Sequence, residues 1–140
     1  LLPKFTFALW ASAFPERRTE SDWLSRDAAE VDAYIADSLS GWDPSVGIWT
    51  VLFELGRGPA DPATLAAARK TLPYQLVGGS EDPSTRGGKI TRKLETHLRK
   101  NGFSNLETRI YEGFRHESLR EIGREQAMED FAAWAEKIIN

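Results

Sequence analysis

The second half of the chain alternates between strand-like and helix-like patterns, and this order limits the fold more than any other feature of the sequence. Residues 72–77 form a short apolar run, residues 89–101 repeat apolar side chains at helical spacing, and residues 106–111 alternate in polarity. A last amphipathic helix is predicted over residues 123–140. A strand, a crossover helix and a second strand form the unit of a parallel sheet, so we predict an α/β fold.

Two strands are too few to make a sheet that is stable alone, because a parallel sheet is normally flanked by further strands and covered by helices on both faces. The missing strands must come from another polypeptide or from a part of the protein that precedes this sequence. The sequence starts at Leu1, without an initiator Met or a signal-peptide pattern, so its beginning looks internal. We therefore expect the C-terminal part of a larger protein.

The first half of the chain, residues 1–71, is rich in aromatic residues and helix signals, and we place a domain boundary near residue 72. Capping side chains predict four short helices, which begin after Ser21, Asp27, Asp43 and Asp61. The helix after Asp43 is apolar around much of its circumference and must therefore be covered by other parts of a protein.

Charge and residue types exclude several classes of function. The net charge of -3, with both signs mixed throughout, gives no basic stripe for nucleic acid. The chain has no cysteine, and no metal cluster or Gly-rich phosphate loop suggests a cofactor. No stretch approaches about 18 uninterrupted apolar residues, so we expect a soluble protein without a transmembrane segment. The compartment stays open, with the cytoplasm favoured.

The loops that follow the two predicted strands carry residues suited to acid–base chemistry. Asp82 lies after the first strand, in residues 78–83, where Pro83 keeps it out of the helical region. His116 lies after the second strand, in residues 113–117, and imidazole is the usual general base near neutral pH. Alone, each residue fits an ordinary turn or cap. Neighbouring strands lie about 4.8 Å apart, however, so the loops lie side by side and Asp82 can orient His116.

The sequence offers no nucleophile to complete this pair. No serine lies in the Gly-x-Ser-x-Gly turn that presents a hydroxyl between a strand and a helix. Ser84, Ser104 and Ser118 are interpreted as cap and turn residues, and His97 as a solvated residue of the charged helix. The chain is thus predicted to contain a base and an orienting acid without the group that attacks.

Several segments match a known family in both halves of the chain. In the second half they are residues 72–78, 79–83, 94–102, 111–117 and 131–134, and in the first half residues 22–27, 30–34 and Asp37. Together they resemble the lid and the C-terminal end of the α/β-hydrolase superfamily, in its monoacylglycerol lipase and lysophospholipase-like branch, which is also grouped with serine aminopeptidases.

The resemblance implies a helical lid over residues 1–71 and the strand–helix–strand–helix portion of a hydrolase core over residues 72–140, with Asp82 as the acid and His116 as the base of a triad. It implies a serine hydrolase that acts on carboxylic esters such as monoacylglycerols or lysophospholipids, with a nucleophile that precedes Leu1. The chain alone is then expected to be inactive. Its expected partners are a small or lipid-like ester and the N-terminal portion of the same hydrolase, or another copy of the chain.

Alternatives stay open both for the aromatic residues of the first half and for the chain as a whole. Core packing is the better interpretation for most of the aromatic residues that could line a substrate pocket in the first half, which are Trp10, Phe14, Trp23, Trp42, Trp49 and Phe53. The whole chain could also be a non-catalytic assembly fragment that pairs through its exposed sheet edge. Loss of catalysis, and bromoperoxidase or acyltransferase chemistry on the same scaffold, are further alternatives, because a fold does not fix the reaction.

Overall fold

A computed structural model describes residues 2–139, so the predicted end of the last helix at Asn140 lies outside the described residues. The helices and strands, in chain order, are α1 (Leu2–Ala11), α2 (Ala28–Ala36), α3 (Val46–Arg57), α4 (Pro62–Ala67), β1 (Tyr74–Gly79), α5 (Lys89–Lys100), β2 (Leu106–Tyr111) and α6 (Arg124–Ile139). Single 3₁₀ turns lie at Gly58–Ala60 and Ser118–Arg120. Within residues 2–139, no helix combines the length and the apolar character needed to cross a membrane.

The predicted strand–helix–strand–helix order is confirmed. β1 and β2 pair in parallel, with Tyr74 opposite Leu106 and Gly79 opposite Tyr111. β2 covers the residues predicted for it, whereas β1 begins at Tyr74, two positions after the predicted start. The fold is therefore of the α/β class and consistent with part of an α/β hydrolase. Because the strands are parallel, the loops after Gly79 and Tyr111 leave the sheet at the same edge.

The sheet packs against α4 and α5 through a small apolar core. Its buried members are Leu65, Leu98, Phe103 and Leu106. Gly88 precedes α5 with a φ of 75°, and a Cβ at this position would lie 2.8 Å from the Ile110 side chain. Glycine tolerates both the left-handed backbone and this contact, so it lets α5 begin directly against β2.

The first half of the chain has its own core and one segment without any core. Ala11, Phe14, Trp23 and Leu24 are buried together, which confirms core packing for Phe14 and Trp23. Residues 42–57, which we call the distal segment, contain α3 and no buried residue, although all of them are described. The cover expected for this apolar helix is thus not provided by residues 2–139.

Several details of the helices differ from the sequence prediction. α1 was not predicted, and the chain after Ser21 forms turns with isolated i to i+3 hydrogen bonds instead of a helix. α3 is capped by Ser45 and not by Asp43, because Ser45 Oγ accepts from Ile48 N at 3.4 Å. The caps predicted for α2 and α4, Asp27 and Asp61, are confirmed. The domain boundary near residue 72 stays a prediction.

Candidate active site

The loop after β1 holds the carboxylate of Asp82 in a dense set of hydrogen bonds. Asp82 is only 3% exposed. Oδ1 accepts from Ser84 N at 2.9 Å, and Oδ2 accepts from Ser84 Oγ at 3.0 Å and from Thr85 Oγ1 at 2.8 Å. These bonds form because Pro83 turns the chain back so that the next two residues face the carboxylate. A buried carboxylate with this many donors is oriented before any partner binds.

The loop after β2 is bound to the loop after β1 along its length. Ser80 N donates to Tyr111 O and Glu81 N donates to Phe114 O, each at 2.9 Å, and Ser80 Oγ accepts from Gly113 N at 2.8 Å. Gly79 lies so close that a Cβ there would overlap the carbonyl oxygens of the neighbouring loop. The two loops therefore form one hydrogen-bonded unit at the edge of the sheet.

The structure brings the two residues predicted to form an acid–base pair together. His116 Nδ1 lies 3.3 Å from Asp82 Oδ1 and 3.2 Å from Ser84 Oγ. Ser84 Oγ donates its proton to Asp82, so it accepts from His116 and Nδ1 carries the hydrogen that both oxygens share. This tautomer leaves Nε2 with its lone pair, and no described residue forms a hydrogen bond with Nε2.

The electrostatic environment keeps Asp82 charged and favours the charged form of His116. Burial alone would raise the pKa of Asp82, but hydrogen bonds with His116, Ser84 and Thr85 outweigh that effect and lower its pKa to about 2. The hydrogen bond to Asp82 raises the pKa of His116 above its ordinary value, although burial opposes it. The pair can therefore accept a proton on Nε2 while Asp82 remains ionised near neutral pH.

Sequence reasoning placed Ser84 in a turn and did not anticipate its contact with the imidazole. The hydroxyl lies on the Nδ1 side, where it belongs to the hydrogen bonds around Asp82. A nucleophilic serine is expected on the opposite side, within reach of Nε2. An Asp followed two positions later by a serine is a recognisable turn signal, but only the placement of β2 brings the imidazole to it.

One face of the imidazole is covered by aromatic side chains from the first half of the chain. The ring centroid of Trp23 lies 5.0 Å from that of His116, and the Trp10 ring lies 6.4 Å away. The aromatic contacts continue from Trp23 to Phe7 at 5.9 Å, and from Phe7 to Trp49 of the distal segment at 6.5 Å. A row of contacting aromatic rings therefore extends from the candidate base to α3.

The remaining candidates lie away from this pair. His97 is exposed on α5, as predicted, and its Nε2 lies 2.8 Å from Pro59 O. Trp42 and Phe53, at 56% and 57% exposed, do not pack in a core among the described residues. No cluster of acidic or histidine side chains suited to a metal ion occurs within residues 2–139.

A buried carboxylate paired with an imidazole in the loops after two adjacent parallel strands, and packed against the first half of the chain, is consistent with an α/β hydrolase. A family model described as serine aminopeptidase, S33, matches residues 1–123, so the chain belongs to this family of α/β hydrolases. The match includes Asp82 and His116 and ends before α6, so the resemblance noted for residues 131–134 lies beyond it. No curated protein matches the chain.

Proposed function

We propose that Asp82 and His116 are the acid and the base of a serine-hydrolase triad whose nucleophilic serine lies outside these 140 residues. The observation that supports this proposal is the paired geometry itself: Nδ1 faces a buried, ionised carboxylate, while Nε2 is left without a partner among the described residues. The absence of a Gly-x-Ser-x-Gly segment from the sequence supports an external nucleophile.

The proposed chemistry follows from the tautomer. His116 Nε2 takes the proton of the serine hydroxyl as the serine oxygen attacks the ester carbonyl. The protonated imidazole then gives this proton to the leaving alcohol, and an acyl-enzyme remains. His116 next removes a proton from water, which attacks the acyl carbonyl; the bond between the acyl carbon and the serine oxygen then breaks, the carboxylic acid is released, and the proton returns to the serine oxygen. Asp82 stays ionised throughout and stabilises the imidazolium.

A carboxylic ester with an apolar acyl group, of the monoacylglycerol or lysophospholipid kind, fits the surroundings of His116. A row of aromatic rings in contact, with Trp23 buried and Phe7 and Trp49 partly exposed, leads from the imidazole to the distal segment. Apolar side chains of α3, including Val51 and Leu52, are about half exposed there. Such a surface favours an acyl chain over a charged substrate.

The test joins this chain to its native upstream portion and measures ester turnover. We expect His116→Ala and Asp82→Asn each to lower kcat by roughly 10²–10⁴-fold, the range associated with the loss of a positioned acid or base. Labelling by a serine-reactive phosphonate is expected to slow in parallel. His97→Ala is the matched control and is expected to leave turnover unchanged. Full activity in both variants at the pair would show that the assignment is wrong.

A second function, assembly through the sheet, is supported by the exposed apolar surface that the described chain leaves. The sheet has two strands among residues 2–139, and Val77 on β1 is 42% exposed. Such an edge can add a strand from the N-terminal portion of the same hydrolase or from another copy. Sedimentation of the 140-residue chain distinguishes these cases. A defined dimer favours pairing between copies, whereas a compact monomer argues against it.

A further inference from the structure

Glu121 is a charged residue in an unusual place, since its side chain is completely buried. It follows the 3₁₀ turn at Ser118–Arg120, five positions after His116, and is 0% exposed. Taking a carboxylate out of water is costly unless its oxygens receive hydrogen bonds or face an opposite charge. Nothing in the chemistry proposed for Asp82 and His116 uses this group.

The hydrogen bonds of Glu121 come from two segments that are far apart in the sequence. Arg26 donates from its backbone N to Oε1 at 3.0 Å and from its side-chain Nε to the same oxygen at 3.1 Å. Arg115, which directly precedes His116, donates from its backbone N to Oε2 at 3.0 Å. The carboxylate therefore joins residues 112–117, which we call the His116 loop, to a segment of the first half of the chain.

Further hydrogen bonds join the same two segments directly, without the carboxylate of Glu121. Arg115 Nη1 donates to Asp22 O at 2.6 Å, and Glu117 N donates to Leu24 O at 2.8 Å. The residues on both sides of His116 are thus bound to residues 22–26, which we call the Trp23 segment. That segment presents the Trp23 ring to the imidazole at 5.0 Å between centroids.

We propose that Glu121 is a positioning residue that binds the Trp23 segment to the His116 loop and thereby holds the imidazole between Trp23 and Asp82. The inference rests on the proposed role of His116 as the base. A carboxylate suits this task because both of its oxygens only accept: Oε1 accepts from Arg26, and Oε2 accepts from Arg115 N and, at 3.2 Å, from Arg26 N. Glutamine offers only one acceptor oxygen, and its amide group would face N–H donors at the other position.

The experiment uses NMR of the 140-residue chain, in which the two histidines can be observed separately and His97 serves as an internal reference. In Glu121→Gln we expect the ring signals of His116 to move toward those of a free imidazole, because its contact with Trp23 loosens. We also expect the pKa of His116 to fall toward its ordinary value as the bond to Asp82 weakens. The ring signals of His97 are expected to stay unchanged.

The matched control is Glu95→Gln, which removes a carboxylate paired with Arg99 on α5, away from the site. It is expected to leave the ring signals of His116 unchanged. If Glu121→Gln does not fold, Arg26→Gln replaces it, since this change removes the Nε donor from a partly exposed side chain and keeps the backbone donors. A folded variant of either kind with an unaltered His116 would overturn the proposal.

Activity in the joined protein gives a second readout. A misplaced base is expected to lower kcat by roughly 10²-fold in Glu121→Gln while KM stays unchanged. The NMR result does not require turnover, so a failure of the triad assignment and a failure of the positioning role are distinguishable. If His116→Ala retains full activity but Glu121→Gln still shifts His116, only the triad assignment is wrong.

Discussion

The loops around His116 and the distal segment, residues 42–57, are stabilised in opposite ways. The loops are bound by backbone and side-chain hydrogen bonds, and they contain buried groups such as Asp82, Phe114 and Glu121. The distal segment has no buried residue, and several of its apolar side chains are more than half exposed.

This difference shows which parts of the proposed site the chain can order alone. Hydrogen bonds within and between neighbouring loops need no further partner, so Asp82 and His116 are held together by residues of this chain. An apolar helix gains stability only when its face is removed from water. We therefore expect changes near His116 to alter the stability of this chain, and changes in the distal segment to leave it nearly constant.

The largest difference in the free energy of unfolding is expected between variants of two tryptophans, Trp23 and Trp42. Trp23 is 7% exposed and packs against Trp10 at 4.8 Å, whereas Trp42 in the distal segment is 56% exposed. We expect Trp23→Ala to lower the free energy of unfolding by about 3–5 kcal/mol, because it leaves a cavity in the core. Trp42→Ala is expected to change it by about 0.5 kcal/mol or less. Urea unfolding followed by circular dichroism measures both, and equal effects would contradict the contrast.

A smaller difference in the free energy of unfolding is expected between alanine variants of two glycines, Gly79 and Gly56. A Cβ at Gly79 would overlap Phe114 O and Arg115 O, whereas a Cβ at Gly56 in α3 meets nothing within 4 Å. We expect Gly79→Ala to cost about 3 kcal/mol, at the upper end of the usual range for overpacking, since the methyl group would overlap backbone atoms and the two loops must separate to admit it. Gly56→Ala is expected to stabilise the chain by about 0.5–1 kcal/mol through helix propensity. If Gly79→Ala is neutral under the same urea conditions, the loops are not closely joined.

The sequence predicted the elements that have a clear period and the residues that follow them. The sequence predicts β2 because its apolar residues repeat at every second position, and α5 because its apolar residues repeat at every third or fourth position. Once the strands are parallel, the loops of Asp82 and His116 must leave the same edge of the sheet. α1 lacks such a period, and the turn near Trp23 has cap residues without a helix to cap.

The contacts that complete the site could not be predicted, because they join residues that are distant in the sequence. Glu121 looks like an ordinary surface acid until Arg26 and Arg115 are placed beside it. The approach of Trp23 to His116 depends in the same way on how the first half packs on the second. Local patterns contain no information on such pairs, so only the fold reveals them.

The smallest of the three main effects is the loss of stability at low pH that follows from protonation of Asp82. Its pKa is lowered from 3.8 to about 2 in the folded chain, and the carboxylate is almost completely buried. Because the pKa of Asp82 is lower in the folded chain than in the unfolded chain, its ionised form stabilises the folded state. This stabilisation is complete above about pH 4 and is lost as the pH falls through 2. The shift corresponds to about 2 kcal/mol. We expect the native chain to lose this much more stability than Asp82→Asn between pH 5 and pH 2.

The comparison with Asp82→Asn is needed because other acidic residues also titrate in this range. The pKa values of other acidic groups are lowered too, and they titrate in both proteins, so their contributions cancel in the difference; these groups are Asp22, Asp37, Asp61 and Glu95. His116 stays protonated in both proteins, since pH 2 to 5 lies below the ordinary pKa of imidazole of about 6.5, and Asp82 only raises the pKa of His116 further in the native chain. If both proteins lose stability in parallel, the loop hydrogen bonds do not hold Asp82 ionised. The contrast with the distal segment would then rest on apolar burial alone.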